Sequence, residues 1–200
     1  MNANGNARIS DDTVVIVYQK RKAKYAHLMS QLITAHTGHE VAEWEEKIWE
    51  ANKHDFLSSQ KVIFFGRTGD NHKTGIKWKF DEFALQYGWL GNRCVVFVGW
   101  LNVFQVPKFY KHYKARAEYF EASVKDAYKK TRNATATGAT VAAGAVGVVA
   151  AAKAMVFLAP LALVGGGIWG ANEVAKAMHT LIVYEFVLGA DGGFKQFMEN

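Results

Sequence analysis

Trp78, Asp81 and Glu82 stand close together in "KWKFDEFALQYGW", a stretch whose Phe80, Phe83, Ala84 and Tyr87 mark the apolar side of a helix. Neighbouring helical residues point about 100° apart, so only one of Asp81 and Glu82 can face a pocket. A carboxylate in the first turns of a helix is favoured by the dipole. Beside an anomeric carbon it would stabilise an oxocarbenium-like state or hold a nucleophile. Glu82 is therefore the candidate catalytic carboxylate, and the competing reading makes it the wet side of a core helix. Just upstream, "GRTGDNHKTG" has the composition of a loop and matches no Walker pattern, so phosphate contact is carried as a candidate role of Arg67, Lys73 and Lys77. His36 and His39 form the one near pair of histidines, and the spacing supplies no further ligands, so no metal is expected. The single cysteine, Cys94, lies in an apolar run and reads as a buried inert thiol in a reducing compartment. No Ser-His-Asp or Cys-His arrangement can be drawn.

The elements that would position these residues alternate between strand and helix. "TVVIVY", Thr13 to Tyr18, is a β-branched run suited to a strand buried on both faces. "KAKYAHLMSQLITAHTG" follows, with Tyr25, Leu28, Met29, Leu32 and Ile33 on one helical face and Gly38 as its stop. After a short extended piece, "HEVAEW", comes a helix over "EEKIWEANKHDFLSSQ" and a second buried strand, "KVIFFG", Lys61 to Gly66. The helix bearing Glu82, the turn "LGN" and a third strand, "RCVVFVG", complete the series. Strand-helix alternation predicts an α/β fold: a Rossmann-like parallel sheet with right-handed crossovers and flanking helices. Its binding crevice should lie at the carboxyl ends of the strands.

Residues 58–99, "SSQKVIFFGRTGDNHKTGIKWKFDEFALQYGWLGNRCVVFVG", resemble the middle of Toll/interleukin-receptor (TIR) and TIR-like domains, where a strand, a loop, a tryptophan, a Glu-bearing helix and a further strand follow in that order. The resemblance implies that Trp78 takes the place of the characteristic tryptophan in the nucleotide pocket. It also implies that Glu82 takes the place of the acid that cleaves the nicotinamide glycosidic bond in enzymatic members, with NAD or another nucleotide as the ligand. The chain departs from that pattern after its first strand, where "VVIVYQKRKAKYAHLM" carries no Ser or Asp.

Charge divides the chain. Residues 1–133 carry 21 Lys and Arg against 14 Asp and Glu, while residues 134–200 carry 3 against 4. Between Ala134 and Ala171 the only charge is Lys153 and the only proline Pro160. This run is nearly long enough for two spanning helices of about 20 residues each, which suggests a hairpin. Ala139, Ala143, Gly147 and Ala151 recur at four-residue spacing, and Gly166 and Gly170 repeat it in the second arm. Such a face lets another helix approach closely, in a membrane or in an oligomer. Pro107 to Arg132 reads as a basic amphipathic helix with eight Lys and Arg against three acids. Lys108, Lys111, Lys114, Lys129, Lys130 and Arg132 are its candidate contacts to anionic lipid. A basic, aromatic helix could also follow phosphates of nucleic acid, but no nucleic-acid-binding motif accompanies it. The polar start, "MNANGNARISDD", has no apolar core and predicts no secretory signal.

Three parts are expected: a Rossmann-like head over residues 1–104, a basic connecting helix over 105–133, and an Ala/Gly-rich hydrophobic hairpin with a terminal helix over 134–200. The expected function is a cytoplasmic effector or sensor, self-associating at the inner face of a membrane, in which the head controls a membrane-active hairpin. Two other readings stand beside it. One is an enzyme processing NAD or a nucleotide, with the tail as anchor or oligomerisation core; the other is a soluble structural or assembly protein.

Overall fold

The computed structural model describes residues 10, 12–53, 60–67, 93–97, 167–189 and 193–199. The chain divides into two compact units, Met1–Phe97 with Phe197–Asn200, and Val98–Gln196. Each is described by itself.

The first unit is built on a parallel sheet. β1 (Val14–Tyr18), β2 (Val41–Glu45), β3 (Val62–Gly66) and β4 (Arg93–Phe97) lie in the order β2-β1-β3-β4, with every pairing parallel. With helices between β1 and β2 and between β2 and β3, this is an α/β arrangement, as the strand-helix alternation predicts. Val14 to Val17 of β1 and Val62 to Phe65 of β3 are fully buried. Such continuous apolar runs suit strands covered on both faces.

α1 (Ala23–Thr37) follows β1 through a 3-10 turn at Lys20–Lys22. It ends at Gly38, whose φ of 78° is left-handed backbone that glycine adopts without strain, and whose N–H donates to the Thr34 carbonyl at 2.9 Å. α2 (Glu46–Asn52) follows β2 directly. The two helices cover opposite faces. Trp49 of α2, 2 % exposed, packs with Val15, Val17, Val62 and Phe64, and meets the Phe64 ring edge-on at 5.1 Å between centroids. His27 of α1 bonds Glu43, which stands opposite Ile16 in the register, so α1 lies on the face of Ile16 and Ile63. Strand order and right-handed crossovers demand this split, because the chain moves one way from β1 to β2 and returns past β1 to reach β3.

The expectation treats "HEVAEW" as a short extended piece between helices, whereas the structure makes Val41–Glu45 a full strand at the edge of the sheet. Its residues are all half-buried, and that is why the segment alternates in polarity where β1 and β3 do not. The helix expected over "EEKIWEANKHDFLSSQ" is helical over Glu46–Asn52, and Gln60 at its far end is buried coil.

At the amino-terminal end of the sheet, Lys61 holds the last turn of α4 (Gly193–Glu199). Its ammonium donates to the Phe197 carbonyl at 3.1 Å and sits 5.3 Å from the centroid of the Phe197 ring. A cation there suits the negative end of a helix.

In the second unit, α3 (Gly167–Leu188) buries Met178, His179, Leu181, Val183, Tyr184, Val187 and Leu188. It ends at Leu188, just before Gly189. Phe194 meets Phe186 edge-on at 5.9 Å. Among the described residues no helix is long and apolar enough to cross a membrane. The hydrophobic run lies outside them except for Gly167 to Ala171, which open α3.

Burial pushes the Tyr184 phenol up to about 12, and among the described residues its hydroxyl makes no hydrogen bond. The unfolded tyrosine ionises near 10. Stability is therefore at its full value below pH 10 and falls as pH rises toward 12, by up to about 1.4 kcal/mol per pH unit. Tyr184→Phe should match the wild type in urea denaturation at pH 8 and lose less stability between pH 10 and 11. Burial also raises Tyr18, so part of the alkaline loss should remain.

Candidate functional site

The carboxyl ends of β1 and β3 meet where the strand order reverses, the place at which open parallel sheets form their binding crevice. Extending the register by one pair beyond Tyr18 and Phe65 sets Gln19 opposite Gly66. The Gln19 N–H donates to the Phe65 carbonyl at 3.4 Å, so the ladder continues past the strand end. The Gln19 carbonyl accepts from the Lys22 N–H at 2.6 Å and closes the 3-10 turn. The Gln19 side chain then crosses to β3, where its Oε1 accepts from the Arg67 N–H at 2.7 Å.

Gly66 is required by this crossing rather than by its backbone angles. A Cβ at Gly66 would stand 2.8 Å from Gln19 Oε1 and 2.9 Å from its Cγ. A side chain at position 66 would therefore have to move the Gln19 side chain.

Charge is partitioned across this end of the sheet. Over β1 and β3 stand Lys20, Arg21, Lys22 and Arg67, with Lys20 and Arg21 exposed and Lys22 and Arg67 half-buried. Burial, and after it the nearby Arg67 guanidinium, lower the Lys22 pKa below its ordinary value. Its ammonium lies 6.0 Å from the Tyr25 ring centroid. Over β2 stand Glu43 and Glu45, which, after burial, help to raise the Tyr18 phenol. Glu43 also accepts from the exposed His27 at 2.9 Å, and the other ring nitrogen of His27 lies 2.9 Å from the Gln31 amide. The β1–β3 side of this end therefore carries cations and the β2 side carboxylates.

Of the residues singled out in the sequence, the structure places Arg67 at this end of the sheet, just beyond β3, and Gly170 in the first turn of α3. Glu82, Lys73, Lys77 and Trp78 lie outside the described residues. So do Lys108, Lys111, Lys114, Lys129, Lys130 and Arg132 of the basic segment, and Ala139, Ala143, Gly147, Ala151 and Gly166 of the small-residue face. His36 and His39 flank the Gly38 turn, and among the described residues no three His, Cys, Asp or Glu side chains gather as a metal site. Sequence reasoning singled out neither Gln19 nor Lys20 to Lys22, which entered only as part of the stretch that departs from the TIR-like pattern after the first strand. The available signal was position: they directly follow the first buried strand. The chain matches no family model, no curated protein and no solved structure.

Gly66→Ala should push the Gln19 side chain aside and leave the Arg67 N–H without that acceptor, at a cost of about 1–2 kcal/mol. In urea denaturation its effect should be strongly non-additive with Gln19→Ala. Once the glutamine is gone, the three nearest atoms that a methyl at position 66 would meet are gone or displaced with it.

Proposed function

We propose that the chain is a membrane-associated sensor or effector whose Rossmann-like head binds a phosphate-bearing ligand of the nucleotide type at the carboxyl ends of β1 and β3. One observation carries the ligand reading. At the reversal of strand order, Gln19 joins the turn bearing Lys22 to the end of β3 bearing Arg67, so two cationic residues from separate elements come near each other at one end of the sheet. An ammonium and a guanidinium together suit the several oxygens of a phosphate: the guanidinium can bind two of them in parallel, and the ammonium adds a compact point charge.

The membrane reading rests on the sequence. The lysine- and arginine-rich stretch from Lys108 to Arg132 adjoins a run from Ala134 to Ala171 that carries a single charge. Basic residues beside such a run are attracted to the anionic leaflet that faces the cytoplasm, each contributing about 1 kcal/mol. The small-residue face at Ala139, Ala143, Gly147 and Ala151 supports self-association there. Ligand occupancy of the head would then control what the hydrophobic segment does, with the protein at the inner face of a membrane.

Titration calorimetry of the full chain with inorganic tripolyphosphate, ATP and NAD tests the head. At least one should bind, and Arg67→Gln and Lys22→Gln should each weaken it about tenfold or more, the scale of a charge-assisted hydrogen bond. Heat changes that survive both substitutions would place the ligand elsewhere. Flotation with anionic and with neutral vesicles tests the tail: the full chain should rise with the anionic vesicles at low salt. Failure to float with either kind would remove the membrane role.

A further inference from the structure

We infer that the outer edge of β2 is a docking site for an extended peptide whose side chains alternate between basic and apolar, added to the sheet as a further strand. The inference goes beyond the ligand reading above and does not depend on it.

Among the described residues β2 is the outer strand on one side of the sheet, in the order β2-β1-β3-β4. In a parallel ladder alternate residues of a strand turn both backbone groups to the same neighbour. Val14 stands opposite Val41, and its N–H donates to the Glu40 carbonyl at 2.9 Å. Glu40, Ala42 and Trp44 therefore direct their backbone groups to β1, and Val41, Glu43 and Glu45 turn theirs outward. Glu45, as the N-cap of α2, sends its carbonyl into that helix. The N–H groups of Val41, Glu43 and Glu45 and the carbonyls of Val41 and Glu43 remain, and among the described residues none of these has a partner. Water reaches this edge: every residue of β2 is half-buried, whereas Val14 to Val17 and Val62 to Phe65 are fully buried. Such a row of donors and acceptors is a template for one more strand.

The side chains beside this row set the chemistry of the strand it takes. Successive residues alternate between faces, and residues paired across two strands share a face. Toward α1 the edge shows Glu43 and Glu45, and the exposed His27 holds Glu43 there at 2.9 Å. Toward α2 it shows Ala42 and Trp44, packed against the cluster of Trp49 and Phe64. A strand laid along this edge in either direction meets carboxylates on one face and apolar side chains on the other. Lysine or arginine opposite Glu43 and Glu45, with valine, isoleucine or an aromatic residue opposite Ala42 and Trp44, matches both faces. A second copy of β2 does not, because antiparallel pairing about Glu43 sets carboxylate against carboxylate. Charged side chains on an edge also discourage stray pairing. Here they share one sign, so they turn away acidic strands and admit a basic one.

The test uses the full chain with a synthetic peptide, acetyl-Lys-Val-Lys-Val-Lys-Val-Lys-amide, and reads the fluorescence anisotropy of a label on the peptide. The alternating peptide should bind, and one of the same composition with all its lysines before its valines should bind at least about tenfold more weakly. Two N-methylated forms probe the backbone, one methylated at every lysine and one at every valine. Only alternate residues of a strand turn their N–H to a given neighbour, so one form should lose binding and the other keep it. Glu43→Gln combined with Glu45→Gln should weaken binding about fivefold or more with little change in melting temperature, since exposed cross-strand charge pairs contribute modestly to each. Val41→Pro removes an N–H that faces outward, so it keeps the pairing with β1 and should weaken binding as well. Absence of binding by the alternating peptide would overturn the inference. Equal affinity for the segregated peptide, or binding kept by both methylated forms, would overturn it by showing charge attraction without strand addition. Wild-type affinity in the double glutamine variant would place the peptide elsewhere and overturn it too. If Val41→Pro fails to fold, the methylated pair decides: loss by one form supports strand addition, and loss by neither overturns it. Concentration-dependent dimers that Val41→Pro dissociates would give the edge to a second copy and overturn the assignment to a basic peptide.

Discussion

The parallel pairing of β1 with β3 runs a ladder of N–H and carbonyl groups between two strands whose apolar side chains are wholly out of water. In that setting each backbone group left without a partner would cost about 1–3 kcal/mol, so the register from Val15 with Val62 to Tyr18 with Phe65 is under strong constraint. A slip of β3 by one residue would also turn Val62 and Phe64 away from Trp49. Once the register is fixed, the positions beyond the strand ends are fixed too. Gln19 must face Gly66, and the turn that follows Gln19 must bring Lys22 toward Arg67.

The helices follow from the same pairing. Because β3 lies on the far side of β1 from β2, α1 and α2 fall on opposite faces, and each contributes a different device. α2 supplies Trp49, a single large ring set edge-on to Phe64. α1 supplies a longer apolar face from Tyr25 to Ile33 and carries its polar side to Glu43 through His27. The edge strand β2 therefore ends among carboxylates while β1 and β3 end among cations. This separation arises from connectivity, since the acids lie on β2 and the bases immediately follow β1 and β3.

Much of the first unit was legible in the chain because burial writes itself into composition. "VVIV" and "VIFF" have no polar residue to place toward water, and Gly38 marks its helix end by a backbone angle that glycine favours. β2 was less legible, since "VAEWE" is half-buried throughout and lacks the continuous apolar signature of its neighbours. The crevice was legible only in outline. The loop "GRTGDNHKTG" pointed to Arg67, but the Gln19 side chain meets it only across 48 positions of the chain. Gly66 gave no local signal either, because its requirement is a close approach by another side chain and becomes visible only when two distant segments are in register.

The Lys61 contact with Phe197 has a consequence in time. Phe197 follows Lys61 by 136 residues, and a ribosome adding roughly 5–20 residues per second needs on the order of ten seconds to cover that distance. Local helices form in about a microsecond and hairpin-scale contacts within tens of microseconds. β1, β2 and β3 can therefore be in register long before the residue that closes over the amino-terminal end of β3 has been made. Throughout that interval Phe197 is not yet there to meet Lys61, while the apolar run from Ala134 to Ala171 is itself being synthesised. A nascent chain in this state offers an unfinished sheet and a hydrophobic segment at once, which is the condition under which chaperones and targeting factors compete for a polypeptide.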